Sequence, residues 1–494
     1  MKLATDKTKR EIGFSEVLSG IEPLTPFGRR RLAELQPFMP GEEGGLEEAL
    51  DSLQAISRML GAQGEAVGRL RRVFGEMKDI SYTFERSAGE TLSVVELFEV
   101  KALMLQMECL GEIFRDMGGD LPENFLLEDV STLLDVLDPE GNRLPTFYIY
   151  DVFSEKLARL RKEKKALERK LRGMEEALRE TAQAGMQAEI DGLAAAAEEE
   201  ELEVQGRLSA QVGAWAPQSL RNCRRIGELD FVMAKGAYAS ENACTRPQIV
   251  QAHILHVEEG RYLPAERLLL REKGRAYSPV DIRLQEGVTC ITGANMGGKT
   301  ISMKLAGLVA MMAQYGLFVP CKAAVVGLSA SVHILIGDSQ DVQKGLSSFG
   351  SEMDGLNKML AAGGERALLF IDEIAGSTNP AEGRALTKSL IRYLSARACI
   401  SLITTHFDRV ADDGAVRLQV RGLADVNFEQ LAAALNGAEA QERVELLARY
   451  MDYRLEPVSS ERKIPRDAIR IAEILGVDPQ IVEGARRILE ERDH

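Results

Sequence analysis

The clearest chemical signal in the sequence is the stretch GANMGGKT at residues 293–300. It fits the phosphate-loop pattern G-x-x-x-x-G-K-[ST], with an apolar run before it and a helical pattern after it. Its glycines allow backbone N–H groups to converge on phosphate oxygens. Lys299 is expected to neutralise the β- and γ-phosphates of ATP, and the Thr300 hydroxyl is expected to ligate Mg²⁺. The predicted nucleotide-binding residues are Gly293, Ala294, Asn295, Met296, Gly297, Gly298, Lys299, Thr300 and Ile301.

Two further polar groups follow apolar runs downstream of this loop. Asp372 and Glu373 end the run RALLFIDE, where Asp372 can hold Mg²⁺ through water and Glu373 can polarise the attacking water. An isolated Asp-Glu pair is more often a solvated strand end, but the upstream phosphate loop favours the catalytic interpretation. His406 ends the run LITTH, and it could sense the γ-phosphate or orient the water. A polar strand cap is the more ordinary role of such a histidine.

The composition limits the classes of protein to which the chain can belong. Its formal net charge of -15 repels a polyanion unless basic residues cluster on one face, which weakens nucleic-acid binding. The six cysteines form no C-x-x-C pair, so a reducing cytoplasm is expected and a disulfide framework or zinc site is not. The N-terminus lacks the apolar core of a signal peptide, and no run reaches the roughly 18–20 apolar residues of a membrane span.

The first third of the chain has helical periodicity. Residues 14–145 place apolar side chains three and four positions apart, which predicts an all-helical domain. From Phe153 a heptad row follows, broken only by Lys164, and this row predicts a coiled-coil seam. A turn is expected around residues 181–185, after which a second and less regular row continues.

The two rows differ in charge. Residues 155–180 hold ten Lys/Arg against six Asp/Glu, whereas residues 189–203 hold seven acids and no base. Opposite charge on facing helices favours an antiparallel hairpin of the two arms. A single long solvated helix is the alternative.

The pattern changes past Trp215. The runs VTCITG, RALLFID and ACISLITT alternate with helical stretches, which is typical of a parallel sheet with crossover helices. The tail predicts two helices joined at residues 476–479, with Pro465 and Pro479 suited to helix starts.

Together these motifs resemble the MutS family of ATPases, relatives of the ABC-type nucleotide-binding domains. TGANMGGKT is similar to the family's T-G-P-N-M-G-G-K-[ST], GLFVPCKAA to its G-x-[FY]-V-P-A, and DEIAGSTNPAEG to its D-E-[IL]-G-x-G-T-x-x-x-[DE]-G. GLSSFGSEM resembles the signature S-T-F-x-x-E-M, whose first serine, here Ser347, reaches the γ-phosphate bound by the opposite subunit. The resemblance thereby implies a homodimer with composite ATP sites. It also implies that Tyr277 stacks on adenine, for which apolar packing is an equal alternative.

The resemblance implies a multi-domain α and α/β fold. A helical core and antiparallel coiled-coil arms would precede an ABC-type P-loop ATPase domain that ends in a helix-turn-helix. The predicted segments are a helical core at 1–145, arms at 146–215, a lever-to-ATPase joint at 216–245, the ATPase domain at 246–460 and a dimerising helix pair at 461–494.

The sequence also departs from the family. Mismatch-repair members carry a mismatch-reading domain and a connector before the helical core, and neither is expected here because the core begins near residue 14. The branch that ends in a nuclease-like Smr domain is not expected either. Ala294, Val280 and Gln248 stand where the family has a proline, an asparagine and a histidine, and these changes bear on nucleotide contacts outside the main loop.

In its length, its GANMGGKT loop and its short front, the chain resembles MutS-like proteins associated with B12-dependent amino-acid aminomutases. There such an ATPase acts with a second subunit as a reactivase that replaces damaged cofactor. The resemblance implies a cytoplasmic, Mg²⁺-dependent ATP hydrolase that moves its arms against a protein client, the aminomutase. The alternative is a MutS-type clamp on DNA that does not read mismatches.

Overall fold

The computed structural model describes residues 2–118, 121–173, 176–273, 277–293, 298–337, 348–407, 410–411, 414–422, 452–458, 467–474 and 476–493. The chain forms two compact units. The first, called the P-loop unit, holds Met1–Ile21, Gln36–Gln54 and Ala237–His494. The second, called the helical unit, holds Glu22–Leu35 and Ala55–Gly236. No helix among the described residues is both long enough and apolar enough to cross a bilayer.

The helical unit carries α-helices around one apolar core. They are α3 (Pro26–Ala33), the end of α4 (Glu43–Ala62), α5 (Gly64–Glu76), α6 (Ser81–Arg86), α7 (Val94–Met117), α8 (Ser131–Leu137), α9 (Glu155–Arg172) and most of α10 (Glu176–Glu241). α7 begins with a capping box in which Ser93 and Glu96 satisfy each other's backbone N–H groups. Its apolar face, including Leu103 and Leu110, is buried in the core. The predicted helical character of this part of the chain is therefore confirmed.

α9 packs against α10 at its N-terminal end. Leu157 is fully buried there, so the heptad row begins inside the globular core of the unit. Lys156 of α9 pairs with Glu200 of α10, and Arg161 pairs with Glu201, each at 2.7 Å. The basic and acidic stretches thus meet at these positions, and a coiled coil along the rest of the two helices stays a prediction.

The turn predicted around residues 181–185 is wrong. α10 is helical from Glu176 to Glu241, and α9 ends instead at its C-cap, Gly173. A glycine inside a helix costs only about 1 kcal/mol relative to alanine, and the alanine- and glutamate-rich surroundings of Gly185 favour helix. Pro217 also lies inside α10, so the helix runs past the change of sequence pattern at Trp215.

Two sheets lie in the described part of the P-loop unit. The strands β1 (Gln248–Val250), β5 (Ala323–Gly327), β2 (Ile254–Gly260) and β3 (Val280–Gln285) lie side by side in that order. The second sheet has the order β10 (Asp452–Pro457), β9 (Val416–Gly422), β4 (Gly287–Thr292), β8 (Ile400–Thr404), β7 (Ala367–Asp372) and β6 (Ser331–Ile336). Its strands pair in parallel except β10, which pairs antiparallel with β9.

The six-stranded sheet confirms the predicted parallel arrangement. The three apolar runs form β4, β8 and β7, which are neighbours in the sheet. Parallel strands are covered on both faces and therefore read as continuous apolar runs. The described helices of this part are α11 (Leu263–Lys273), α12 (Gly298–Gln314), α13 (Ser348–Ala362) and α14 (Pro380–Ser395). Because the carboxyl ends of parallel strands share one edge, the residues that follow β4, β7 and β8 lie close together.

The N-terminal residues pack in the P-loop unit. The helices α1 (Asp6–Ile12) and α2 (Phe14–Ser19) bury Ile12 and Phe14 completely. The ring centroid of Phe14 lies 4.7 Å from that of Tyr315. A Cβ at Gly307 of α12 would lie 3.0 Å from Ile12 Cδ1, so the glycine allows this close approach. α1 therefore covers one side of the helix that follows the phosphate loop.

The tail contains the two predicted helices, α15 (Asp467–Ile474) and α16 (Pro479–Asp493). Gly476 lies between them with φ 86°, a left-handed angle that glycine adopts readily. Glu473 of α15 and Arg486 of α16 form an ion pair. Pro479 begins α16 as expected, whereas Pro465 is outside the described residues. The helix-turn-helix and dimerising roles of this pair stay predictions.

Candidate nucleotide-binding site

The predicted phosphate loop connects β4 to α12. Gly293 follows the last residue of β4 with φ 133°, an angle that residues with a side chain rarely adopt. Lys299, in the first turn of α12, is buried, and its Nζ donates a hydrogen bond to the Gly293 carbonyl at 2.8 Å. Ile301 is half-buried in the same turn, whereas residues 294–297 lie outside the described residues. The lysine thus folds back over the start of the loop.

A second set of contacts joins α12 to the ends of β7 and β8. Thr300 donates through its hydroxyl to Asp372 Oδ2 at 2.9 Å. The hydroxyl of Thr404, the last residue of β8, donates to the other oxygen of Asp372. Asp372 ends β7, so the sheet itself fixes the distance between this carboxylate and the phosphate-loop helix. The predicted metal residues Thr300 and Asp372 therefore lie together.

Glu373 stands one residue beyond the sheet in a left-handed conformation, with φ 47°. Non-glycine residues in this region cost of order 1–3 kcal/mol and persist only where the surroundings hold them. Here the Glu373 N–H donates to the Thr404 carbonyl at 3.1 Å. The Glu373 side chain reaches Lys299, with Oε1 3.0 Å from Nζ. The predicted base and the predicted phosphate-binding lysine are thus in direct contact.

The remaining predicted site residues differ in how closely they approach this cluster. His406 is exposed, two residues past β8, and its ring centroid lies 4.3 Å from that of Phe407. A Cβ at Gly376, on the loop after Glu373, would lie 3.4 Å from His406 Cε1. Tyr277 is half-buried, and burial raises its pKa to about 12. Its stacking on adenine stays a prediction, and Ser347 lies outside the described residues.

The side chains of Thr300 and Asp372 fit a site in which Mg²⁺ is bound together with a nucleotide. Among the residues that the structure describes, no group of three or more His, Cys, Asp or Glu side chains is placed to hold a metal ion. Mg²⁺ is usually bound by one or two carboxylates together with substrate phosphates and waters. Thr300 and Asp372 provide one hydroxyl and one carboxylate of this kind.

Sequence reasoning missed two residues of the site. Thr404 touches both acidic residues, because its hydroxyl donates to Asp372 and accepts the Glu373 N–H at 3.2 Å. The sequence does show that Thr404 ends an apolar run, and this position was the signal that could have predicted its contact with Asp372. Tyr453 of β10 packs against the start of α12, where a Cβ at Gly298 would lie 2.8 Å from Tyr453 Cδ1. No local pattern indicates that contact, since more than 150 residues separate the two positions.

Comparison with known proteins agrees with this arrangement. Residues 289–492 match the family model described as MutS domain V. A protein named Endonuclease MutS2 from Symbiobacterium thermophilum is 34% identical over 301 residues, which covers 59% of this chain and 34% of that protein. Proteins of the same name from Pelotomaculum thermopropionicum (32% identical over 246 residues, 49% of this chain and 30% of that protein) and Clostridium botulinum (33% over 225 residues, 45% and 27%) also match.

The chain spans about a third of the length of these curated relatives. The matched family model begins in β4 and includes the phosphate loop, the Asp372–Glu373 pair and His406. The motifs, the geometry and the matches agree, and residues 289–492 of this chain are similar to MutS domain V.

Proposed function

We propose that this chain hydrolyses ATP with Mg²⁺ at the site around Lys299. The observation that carries the proposal is the convergence of Lys299 with Glu373 and of Thr300 with Asp372 at one edge of the parallel sheet. The members of the matched family are ATPases, which supports this activity at the family level. The six free thiols suit a reducing cytoplasm as the place of the reaction.

Each residue of the cluster has a role that its position supports. Lys299 binds the β- and γ-phosphates, and Thr300 and Asp372 hold the cation. Mg²⁺, when bound, neutralises charge that develops on the transferred phosphoryl group. The Glu373 carboxylate takes a proton from the attacking water at an Oε atom, and His406 orients that water. The contact between Lys299 and Glu373 keeps the base close to the phosphate-binding lysine before the nucleotide arrives.

Turnover measurements test this activity. Lys299→Ala and Glu373→Gln should each lower ATP turnover, the first by weakening nucleotide binding and the second by removing the base. Nucleotide binding should survive in Glu373→Gln, because the substitution keeps the shape of the side chain. Wild-type protein without Mg²⁺-dependent turnover would refute the proposal, as would full turnover in both variants.

We further propose that the active form is a homodimer with composite sites. Ser347 would contact the γ-phosphate bound by the partner, so ATP would favour one dimer geometry over another. A ligand shifts a conformational equilibrium only through different affinities for the two states, and such a shared site supplies this difference. A protein that stays monomeric with saturating ATP and Mg²⁺, yet hydrolyses at full rate, would contradict this coupling.

For the client, we propose a protein, with reactivation of a B12-dependent aminomutase as the specific case and a second reactivase subunit as a partner. The net charge of -15 supports a protein client. So do the ion pairs Lys156–Glu200 and Arg161–Glu201, in which basic groups of α9 already face acidic groups of α10. Sequence-independent DNA binding draws most of its free energy from lysine and arginine on phosphates.

DNA is the second candidate client, and the names of the relatives favour it. Proteins called endonucleases act on nucleic acids, and three such proteins match 45–59% of this chain. A titration of binding to duplex and junction DNA against salt separates the two clients. Affinity that falls steeply with salt would support DNA. Absence of binding at low salt, together with capture of a protein client by ATP-trapped Glu373→Gln, would support the protein.

A further inference from the structure

Glu352 is outside the predicted catalytic set, yet it contacts the loop that carries Glu373. It lies in the second turn of α13, within the stretch GLSSFGSEM. Its Oε2 accepts the Ala375 N–H at 3.1 Å, and its Oε1 accepts the Ser377 hydroxyl at 3.4 Å. One carboxylate therefore holds two positions of the 373–377 loop.

The loop depends on such support because its backbone is strained. Ala375 has φ 58° and Glu373 has φ 47°, so two non-glycine residues close together adopt the left-handed region. Ala375 is fully buried, and a buried N–H needs a hydrogen-bond acceptor. The Gly376 N–H donates to the Glu373 carbonyl at 3.2 Å and closes the turn. Glu352 supplies the acceptor for the middle of this turn.

The helix that carries Glu352 is itself fixed by packing. Gly355 allows α13 to approach β6 closely, because a Cβ there would lie 2.7 Å from Leu335 Cδ1. Met359 of α13 is buried in the same core cluster as Ile371 of β7. The Glu352 carboxylate therefore sits on a rigid element, and a rigid support can place a reactive group accurately.

We propose that Glu352 is a positioning residue for ATP hydrolysis, which holds the 373–377 loop so that the Glu373 carboxylate stays beside Lys299. The inference rests on the proposed function. It also gives the signature stretch a second role: the helix that follows Ser347, the residue expected to face the partner's nucleotide, holds the catalytic loop of its own chain. Burial raises the pKa of Glu352, although the hydrogen bonds from Ala375 and Ser377 act in the opposite direction, as suits an enclosed carboxylate.

Steady-state kinetics of Glu352→Ala and Glu352→Gln test the inference. Displacing a catalytic group by about 1 Å can cost ~100-fold in rate, so Glu352→Ala should lower kcat by about 10- to 100-fold. The KM for ATP should stay within about threefold, because the phosphate-binding residues are untouched. Glu352→Gln keeps an oxygen that accepts the Ala375 N–H, and its kcat should lie within about fivefold of wild type. Asp354→Ala is the matched control, since Asp354 is exposed on the same helix and pairs with Lys358 at 2.6 Å.

Ser377→Ala keeps the test valid if Glu352→Ala does not fold. Ser377 is exposed, and removing its hydroxyl should lower kcat by about twofold to fivefold with no further loss in the Glu352→Ala background. An unchanged kcat in Glu352→Ala, or in Ser377→Ala where the first variant does not fold, would overturn the inference. A raised KM with unchanged kcat would also overturn it. Loss of the Lys299 side chain separates this inference from the proposed function. If Lys299→Ala does not lower ATP turnover, the proposed function is wrong; if it does and Glu352→Ala leaves kcat unchanged, only the role of Glu352 is wrong.

Discussion

The two units of this protein each hold a buried lysine against a carboxylate, and the two pairs are built differently. In the helical unit, Lys101 lies 2.9 Å from Asp138, and the two side chains are 1% and 0% exposed. In the P-loop unit, Lys299 lies 3.0 Å from Glu373, but the exposed fractions are 4% and 33%. The first carboxylate is sealed from solvent, whereas the second is open to it.

Further hydrogen bonds surround the sealed pair, Lys101–Asp138, and keep both side chains away from solvent. Lys101 Nζ also donates to the Thr146 carbonyl at 2.9 Å and to the Tyr150 hydroxyl at 3.4 Å. Asp138 accepts the Arg143 N–H at 2.7 Å. Burial alone would raise the pKa of Asp138, but the bonds from Lys101 and Arg143 outweigh it and the pKa is lowered. The enclosed Lys101–Asp138 pair is therefore suited to stabilising the fold. The Lys299–Glu373 pair is partly open to solvent, so a ligand can replace one of its partners.

The largest effect is expected from removing the lysine of the sealed pair. Lys101→Met should destabilise the helical unit by about 3–5 kcal/mol, because the buried Asp138 would lose its closest cation and keep only Arg143, whose guanidinium lies 3.5 Å away. Amide hydrogen exchange in α7 and α8 measures this unit separately from the other. Lys78→Met, which removes an exposed ion pair with Glu99, is the matched control and should exchange like wild type. Equal protection in both variants would show that the sealed pair is not structural.

Removing the lysine of the open pair should affect function more than folding. Lys299→Met should lower ATP turnover by about 10²–10³-fold, the loss typical of a single charge-stabilising donor. Its thermal midpoint should stay close to that of wild type, because Glu373 can turn to solvent. Turnover and thermal unfolding of the same preparation measure both quantities. A large fall in the midpoint would place this pair in the same structural class as Lys101–Asp138.

A smaller effect is expected at Thr404, which supports the open pair from β8. Thr404→Val should destabilise the site by about 1–3 kcal/mol, since a part-buried bond to Asp372 and one of the two acceptors of the Glu373 N–H are lost. Thr404→Ser keeps the hydroxyl and should recover most of the stability and turnover. If valine and serine behave alike, the hydroxyl does not organise the two acidic residues.

The smallest effect is expected at the surface pair between α9 and α10. Lys156 is 61% exposed, so Lys156→Ala should change the thermal midpoint by little more than the measurement error. Salt-dependent binding of duplex DNA should stay unchanged too if this lysine is committed to Glu200. An appreciable loss of DNA binding would instead assign α9 to the nucleic acid.

Much of the site could be predicted because its signals are local. The phosphate loop needs an apolar strand before it and a helix after it, and β4 and α12 provide both. Asp372 ends β7 as its apolar run predicts. These features depend on residues that are close together in the sequence, so short sequence patterns are enough to predict them.

The rest could not be predicted because it depends on contacts between distant parts of the chain. The Thr404 hydroxyl matters only because β8 lies beside β7. Glu352 reaches Ala375 only once α13 has packed on β6. The turn predicted at 181–185 was wrong for a local reason. One glycine destabilises a helix only slightly, and the residues around Gly185 favour helix.

The burial of Ile12 and Phe14 inside the P-loop unit decides how the nucleotide site can be isolated. A fragment cut at Ala237, where the larger portion of that unit begins, would leave the Gly307 side of α12 and the ring of Tyr315 in water. Uncovered apolar surface promotes self-association. An excised P-loop unit would therefore need residues 2–21, together with the Gln36–Gln54 segment of the same unit, fused by linkers or supplied as separate peptides. Affinity tags would be better placed away from the N-terminus.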